Sequence, residues 1–304
     1  MPAAAALAPG ARIGFVGLGQ MGRPMASRLA ASGYALTLAD ASTGVAQQVA
    51  EEIHAQAASG ARQLGPGLDA VILMLPDGAA VRAVLIDDDM LGRLAPGCIV
   101  IDMGSCEPSG TAQVGERLQA ASIEMIDAPV SGGVARARSG ELTIMAGGSP
   151  AAIERSRPLL QSMGNRIYTT GALGSGQAMK SLNNFVSAVG LIATCEAVNI
   201  GKRFGLDPAV MAEVLNGSTG RNNTTEHKLR QFILSRSFAS GFSLDLMVKD
   251  LSIAASVAEH SATPTVLAQT CLQLWRQAQK TLGRGRDHTE MARWIEQAMR
   301  ADEP

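Results

Sequence analysis

The sequence predicts an α/β fold, a doubly wound parallel sheet, followed by an all-helical C-terminal domain. Three observations carry that expectation. Short apolar runs recur between helical intervals as far as residue 146, nearly continuous rather than alternating, as strands covered on both faces require. Strand alternating with helix implies parallel strands joined by crossovers. Beyond about Gly171 the strand-like runs stop and long helical periods take over.

Residues 13–17 form the first β-rich run and break directly into Gly17-Leu18-Gly19-Gln20-Met21-Gly22. A helical stretch follows over 24–32, with Met25, Leu29 and Ala30 at helical spacing and Gly33 as its stop. Residues 35–39 make a second strand ending at Asp40, and 70–75 a third closed by Pro76. A fourth lies at 99–103, a fifth at 123–126 and a sixth at 142–146. From 177 to 203 one helical period runs without proline, and its uncharged middle reads as buried. Asp207 and Pro208 then open another helix as N-cap and first helical residue. Helical periods also occupy about 245–260, 264–281 and 287–300. The division falls in the glycine-rich segment 171–176, giving domains 1–172 and 173–304, with residues 1–10 as a flexible tail.

Composition sets outer bounds. A chain of 304 residues suits two domains at about 150 residues each. Lysine plus arginine total 26 against 27 acidic residues, which leaves no concentrated positive charge for nucleic acid. Aromatics are only 3%, so the core is expected to be aliphatic and rich in alanine. Cys98, Cys106, Cys195 and Cys271 show no CxxC spacing and read as reduced, buried thiols of a cytoplasmic protein. His54, His227, His260 and His288 are scattered, so no metal site is expected. No unbroken run of about 18 apolar residues occurs, and no membrane partner is expected.

Three motifs carry chemistry. The GxGxxG of residues 17–22 follows a strand and opens a helix, the context that gives this pattern its meaning. Gly17 permits the tight turn, Gly19 lets backbone approach a pyrophosphate, and Gly22 allows close helix–strand packing. The helix start supplies amide donors. Asp40 stands 18 residues beyond Gly22 at the end of the next strand, where a carboxylate takes the adenosine ribose hydroxyls. Ala41 follows it with no arginine nearby, which favours NAD, with NADP possible. The second motif is Asp127-Ala-Pro-Val-Ser-Gly-Gly133. Ser131 offers a hydroxyl, and Gly132 and Gly133 leave backbone amides unobstructed for a carboxylate; taken alone the segment reads equally as a plain turn. The third leads from Gly174 into Lys180-Ser-Leu-Asn183-Asn184. Lys180 and Asn184, four apart, share a helix face. A desolvated lysine there can exchange the proton that hydride transfer at a carbonyl requires; a solvated lysine near a helix start is the plainer reading.

Together with Lys249-Asp250-Leu251, these motifs resemble the β-hydroxyacid dehydrogenases, the 3-hydroxyisobutyrate dehydrogenase-like family, from Ile13 to about Arg300. The resemblance implies a Rossmann-type domain, a long connecting helix and a helical domain that builds homodimers or homotetramers. It implies Lys180 as the catalytic lysine, Ser131, Gly132 and Gly133 as the carboxylate site, and Asn184 as the residue orienting the substrate. Leu75, Pro76, Ser105 and Lys249 match cofactor-contacting positions, and Phe242 and Asp250 match positions that close the cleft. The implied reaction interconverts a small 3-hydroxy acid and its semialdehyde. Two readings compete with it. Reduction of a polar semialdehyde (tartronate semialdehyde, glyoxylate or succinic semialdehyde) fits Asn222 and Asn223, which stand where relatives carry bulkier residues; either these asparagines make a more polar pocket or they cap a helix. A dinucleotide-binding sensor module would keep the glycines but need not keep Lys180, Asn184 and Ser131 together.

The Asp40–Ala41 pair predicts a higher kcat/KM with NAD than with NADP. Steady-state kinetics with both cofactors check this, and a preference for NADP overturns the role given to Asp40.

Overall fold

A computed structural model of the chain describes residues 5–301. The chain divides into two compact units, one reaching to Lys180 and the other starting at Ser181. The first unit holds β1 (Arg12–Val16), α1 (Gly22–Ala31), β2 (Ala35–Ala39), α2 (Thr43–Ile53), β3 (Gln56–Ala57), β4 (Ala70–Leu73) and α3 (Gly78–Arg82). It continues with β5 (Ile99–Asp102), α4 (Pro108–Ala120), β6 (Glu124–Asp127), β7 (Val130–Ser131), α5 (Gly133–Ser139), β8 (Thr143–Gly147), α6 (Pro150–Gln161) and β9 (Arg166–Gly171).

These strands make one sheet in the order β3-β2-β1-β4-β5-β6-β8-β7, with β9 paired to β8. All pairings from β3 to β6 are parallel. The expected wholly parallel sheet is modified at one edge, where β8 runs antiparallel to β6 and β7. Parallel neighbours need a crossover of a dozen or more residues. The seven-residue α5 instead returns the chain beside β7. β9 was not foreseen. It pairs parallel with β8 and is mostly exposed, so its sequence lacks the apolar run that marks the central strands. Those central strands bury both faces: Ile99 and Ile101 join one apolar cluster and Val100 the other, as do Ile72 and Val71.

Residues 1–4 of the expected flexible tail lie outside the described residues. From Leu7 the segment is fixed, which corrects that expectation. Leu7 is 2% exposed, its amide donates to Arg155 O at 2.9 Å, and its carbonyl accepts from the Tyr34 hydroxyl at 3.0 Å. Burying the leucine and satisfying the phenol together offset the entropy of ordering the chain.

The second unit is helical, as expected. α7 (Ser175–Phe204) enters from the first unit, followed by α8 (Pro208–Gly217), α9 (Asn223–His227), α10 (Leu244–His260), α11 (Leu267–Leu282) and α12 (Met291–Ala301). Asp207 caps α8 by accepting from the Ala209 amide at 2.7 Å. Although it contains no unbroken run of 18 apolar residues, α7 is long and apolar enough on average to cross a membrane by length and composition. Its apolarity has a local account: Leu191, Cys195 and Val198 pack with Leu251, Trp275 and Ile295 in the core of the helical unit. All four cysteines are free and buried. Burial pushes the Cys98 and Cys195 thiols up to about 12 and Cys271 to about 11, far from nucleophile range.

His288 is the notable titratable group of this core. It is 3% exposed, lies edge-on to Phe242 with centroids 5.5 Å apart and stacks at 6.5 Å on Trp275. Phe242 is thereby held against the core of its own unit. Burial, with the Lys228 ammonium adding to it, pushes His288 down to about 4, against the pull of Asp287. The folded protein therefore holds the imidazole neutral while the unfolded chain protonates it near 6.5. Its contribution to stability is complete above that value and is lost as pH falls toward 4. Denaturant unfolding is expected to show a loss on the order of 2–3 kcal/mol between pH 7 and pH 4 from this group. His288→Gln should flatten that slope; an unchanged slope in the variant removes His288 as its source.

Candidate active site

The carboxyl ends of the parallel strands carry the first set of expected residues. The segment 17–22 follows β1, Asp40 follows β2, Leu75 and Pro76 follow β4, and Ser105 follows β5. Because β2, β1, β4 and β5 are neighbours, these residues line one end of the sheet, where α/β sheets bind ligands. Leu75 and Ser105 are half-buried and Pro76 exposed.

The glycines of this segment separate into two kinds. Gly17 has φ +96, and a Cβ there would lie 2.4 Å from Met74 O. A Cβ on Gly22 would lie 1.9 Å from Gly17 O. Both are required by the protein's own packing. Gly19 is different: a Cβ there meets nothing within 4 Å. It is exposed, as is Gln20, while Met21 is half-buried and Leu18 buried. Folding alone does not require glycine at 19, whereas an approaching pyrophosphate does. That fits a dinucleotide on this loop. Asp40 accepts from Leu18 N at 2.7 Å and from Ser42 N at 2.9 Å. It therefore fastens the glycine loop, and a carboxylate's roughly four lone-pair sites leave it capacity to accept from a ribose hydroxyl as well.

The second set is organised by Asp127, at 0% exposure. Its carboxylate accepts from Gly174 N and Gln177 N, each at 2.7 Å, at the amino end of α7. A Cβ on Gly176 would lie 2.2 Å from Met145 O and 2.8 Å from Asp127 Oδ2, so glycine there lets the helix start close onto the sheet. Burial pushes the Asp127 carboxyl up, and the amide hydrogen bonds pull it partly back. Gln177 extends the connection: Nε2 donates to Asp102 Oδ2 at 3.2 Å and Oε1 accepts from Cys106 N at 2.9 Å. Lys180 follows three residues later, 9% exposed. The sequence reading placed Asp127 in a ligand-binding segment; here it holds the helix that carries the lysine. Asp102 and Gln177 were missed. The signal available was an acid ending an apolar strand.

Ser131 lies in β7, paired with Thr143, rather than in an open loop. Gly132 turns the chain at φ +135, and Gly133 begins α5 with open space at its Cβ position. Ser131 is half-buried and the two glycines exposed, an arrangement able to hold a carboxylate through a hydroxyl and backbone amides.

In the helical unit Asn184, 7% exposed, donates from Nδ2 to Asp250 Oδ2. Asn184 Oδ1 accepts from Asn183 Nδ2 at 3.2 Å. Asp250 also pairs with Lys249, whose Nζ lies 3.5 Å from Oδ1. Asp250 thus fixes which way the Asn184 amide points. The structure decides the open question at Asn222. Its Oδ1 accepts from Thr224 N and Thr225 N, the Thr225 hydroxyl accepts from its backbone N–H, and Nδ2 donates to Thr194 Oγ1 and Gly220 O. It is a helix cap, worth about 1 kcal/mol.

Comparison with known proteins matches this geometry. A family model described as the NAD binding domain of 6-phosphogluconate dehydrogenase matches residues 12–171. A second, described as NAD-binding of NADP-dependent 3-hydroxyisobutyrate dehydrogenase, matches residues 174–295. The NAD-dependent L-serine dehydrogenase of Pseudomonas aeruginosa is 38% identical over 87% of this chain and 91% of its own. The 2-(hydroxymethyl)glutarate dehydrogenase of Eubacterium barkeri is 35% identical over 91% of each. Among solved structures, Mycobacterium tuberculosis 3-hydroxyisobutyrate dehydrogenase with L-serine superposes with a TM-score of 0.86 at 29% identity, covering 94% of this chain and 99% of that one.

Substitution at the two kinds of glycine should give opposite outcomes. Gly19→Val is expected to leave the melting temperature within about 2 °C while weakening NAD binding at least tenfold, because only the ligand needs that space. Gly22→Ala should lower the melting temperature by several degrees. Calorimetric NAD binding and thermal melts of both variants check this, and intact NAD affinity in Gly19→Val overturns the assignment.

Proposed function

As a member of the β-hydroxyacid dehydrogenase family the chain is an NAD-dependent oxidoreductase acting on a hydroxyl group, and we propose that it interconverts a small 3-hydroxy acid, 3-hydroxyisobutyrate-like, with its semialdehyde. The observation that carries the reading is the placement of Lys180: buried, and one turn past a helix start anchored to Asp127 and Asp102. L-serine and 2-(hydroxymethyl)glutarate, for which two relatives are named, are both 3-hydroxy acids.

In this reading Lys180 takes the hydroxyl proton during oxidation and returns it to the carbonyl oxygen during reduction. Asn184, aligned by Asp250, holds that oxygen. The Ser131, Gly132 and Gly133 segment holds the carboxylate, and fixing both ends of a small acid supplies much of the rate through orientation. Gly17 to Gly22, Asp40, Leu75, Pro76, Ser105 and Lys249 are the residues that would hold NAD, which when bound supplies the hydride acceptor. Reduction of a polar semialdehyde is the weaker alternative, since Asn222, one of the two residues that suggested a polar pocket, is engaged in capping. We further propose a cytoplasmic homodimer or homotetramer; Val186, Ile200, Phe204, Val210 and Val214 of the helical unit leave apolar surface for self-association.

Lys180→Ala is expected to lower turnover of 3-hydroxy acids by about 10²- to 10⁴-fold with NAD affinity unchanged. Turnover within tenfold of the parent chain, read by NADH absorbance, overturns the role of Lys180.

A further inference from the structure

We infer that Arg136 supplies the positive charge that holds the substrate carboxylate at the Ser131, Gly132 and Gly133 segment. The inference rests on the reading of that segment as the carboxylate site and concerns the first unit alone. A hydroxyl and backbone amides offer dipoles, whereas a carboxylate carries a full charge, so a cation is needed to match it. Arg136 is the cation nearest to the segment in sequence. It lies in α5, three residues past Gly133 and on the same helix face.

Helical side chains lean toward the N-terminal end of their helix, and Arg136 leans onto Gly132. A Cβ added at Gly132 would lie 2.7 Å from Arg136 Cδ, 2.9 Å from its Cβ and 3.3 Å from its Cγ. These three nearest atoms all belong to the stem, so the missing side chain at 132 makes room for methylenes and the guanidinium extends past them. Arg28 behaves differently at the other end of α5. Beside Gly140 its Nε, Nη2 and Cζ are the nearest atoms, at 2.8, 3.0 and 3.2 Å, so there the guanidinium itself is packed in. Arg136 is exposed, and among the described residues no carboxylate forms an ion pair with it. Glu141, the one acid between residues 128 and 150, is engaged by the Ser139 hydroxyl at 2.8 Å. A stem laid on backbone with its charged head in water is the ordinary habit of a long cation, and the planar fork of arginine matches a carboxylate.

The test compares 3-hydroxyisobutyrate with its amide, 3-hydroxy-2-methylpropanamide, which keeps the shape and removes the charge. With the full chain and saturating NAD, kcat/KM is expected to favour the acid. Arg136→Gln should reduce that preference about tenfold, the lower end for a charge-assisted hydrogen bond because solvent screens an exposed cation. The loss should appear in KM for the acid, with kcat and the amide's kcat/KM little changed. Arg136→Lys should restore part of it, since the charge returns without the fork. Arg136→Met, which keeps the stem on Gly132, serves if Arg136→Gln does not fold. No preference for the acid in the parent chain, a preference unchanged in the variants, or an equal loss for acid and amide overturns the inference. Turnover of neither compound means that the substrate reading itself fails. Titration calorimetry with isobutyrate and isobutyramide in the presence of NAD then decides the charge site separately. Selective weakening of isobutyrate in Arg136→Gln supports it, and equal binding or none overturns it.

Discussion

A buried carboxylate at the start of a long helix is the constraint on which the rest depends. Asp127 has no solvent to stabilise its charge, so the amides of Gly174 and Gln177 do so instead. Helix starts offer such amides and a favourable field. The match satisfies the carboxylate and two otherwise unpartnered donors together. It also fixes the rotation of α7 about its axis, and that rotation decides which side chain emerges at residue 180. Gln177, reaching Asp102 and Cys106 from the same turn, ties the helix to a second strand end and removes the remaining freedom.

A second theme is that residues of one type divide by what they touch. Gly17, Gly22 and Gly176 are glycine because backbone carbonyls lie within 2.4 Å of where a Cβ would stand. Gly19 faces open space with no internal reason to be glycine, which leaves its bare backbone available to a ligand, whereas Gly133 also faces open space but its φ of +69 calls for glycine whatever lies nearby. The asparagines divide likewise: Asn222 is absorbed by its own helix cap, while Asn184 is aligned by a neighbouring helix through Asp250.

Much of this was legible in the sequence, and what was hidden has a common cause. The central strands and long helices announce themselves because each buries a face or both faces, and burial imprints a period on the residues. The glycine loop was readable because its meaning is local: strand, turn and helix lie within twenty residues. β9 was not, because Tyr168 in its middle is 57% exposed and an edge strand needs no apolar run. The positioning network was hidden for a different reason. Gln177 reaches its carboxylate partners across 50 and 75 residues of sequence, and no spacing rule connects residues that only the folded sheet brings together. Leu7 was missed in the same way, its anchors being Tyr34 and Arg155.

The buried thiols bear on survival in the presence of the chain's own product. The semialdehyde proposed as product is an electrophile, and a thiolate that attacks its carbonyl carbon forms a hemithioacetal that can block an enzyme within its working life. Three of the four cysteines hold their protons to about 11 or 12, and all four are buried. At neutral pH almost none of this sulfur is in the reactive form. Packing that fills two aliphatic cores thus also keeps the protein's sulfur unreactive toward the carbonyl compound proposed as its product.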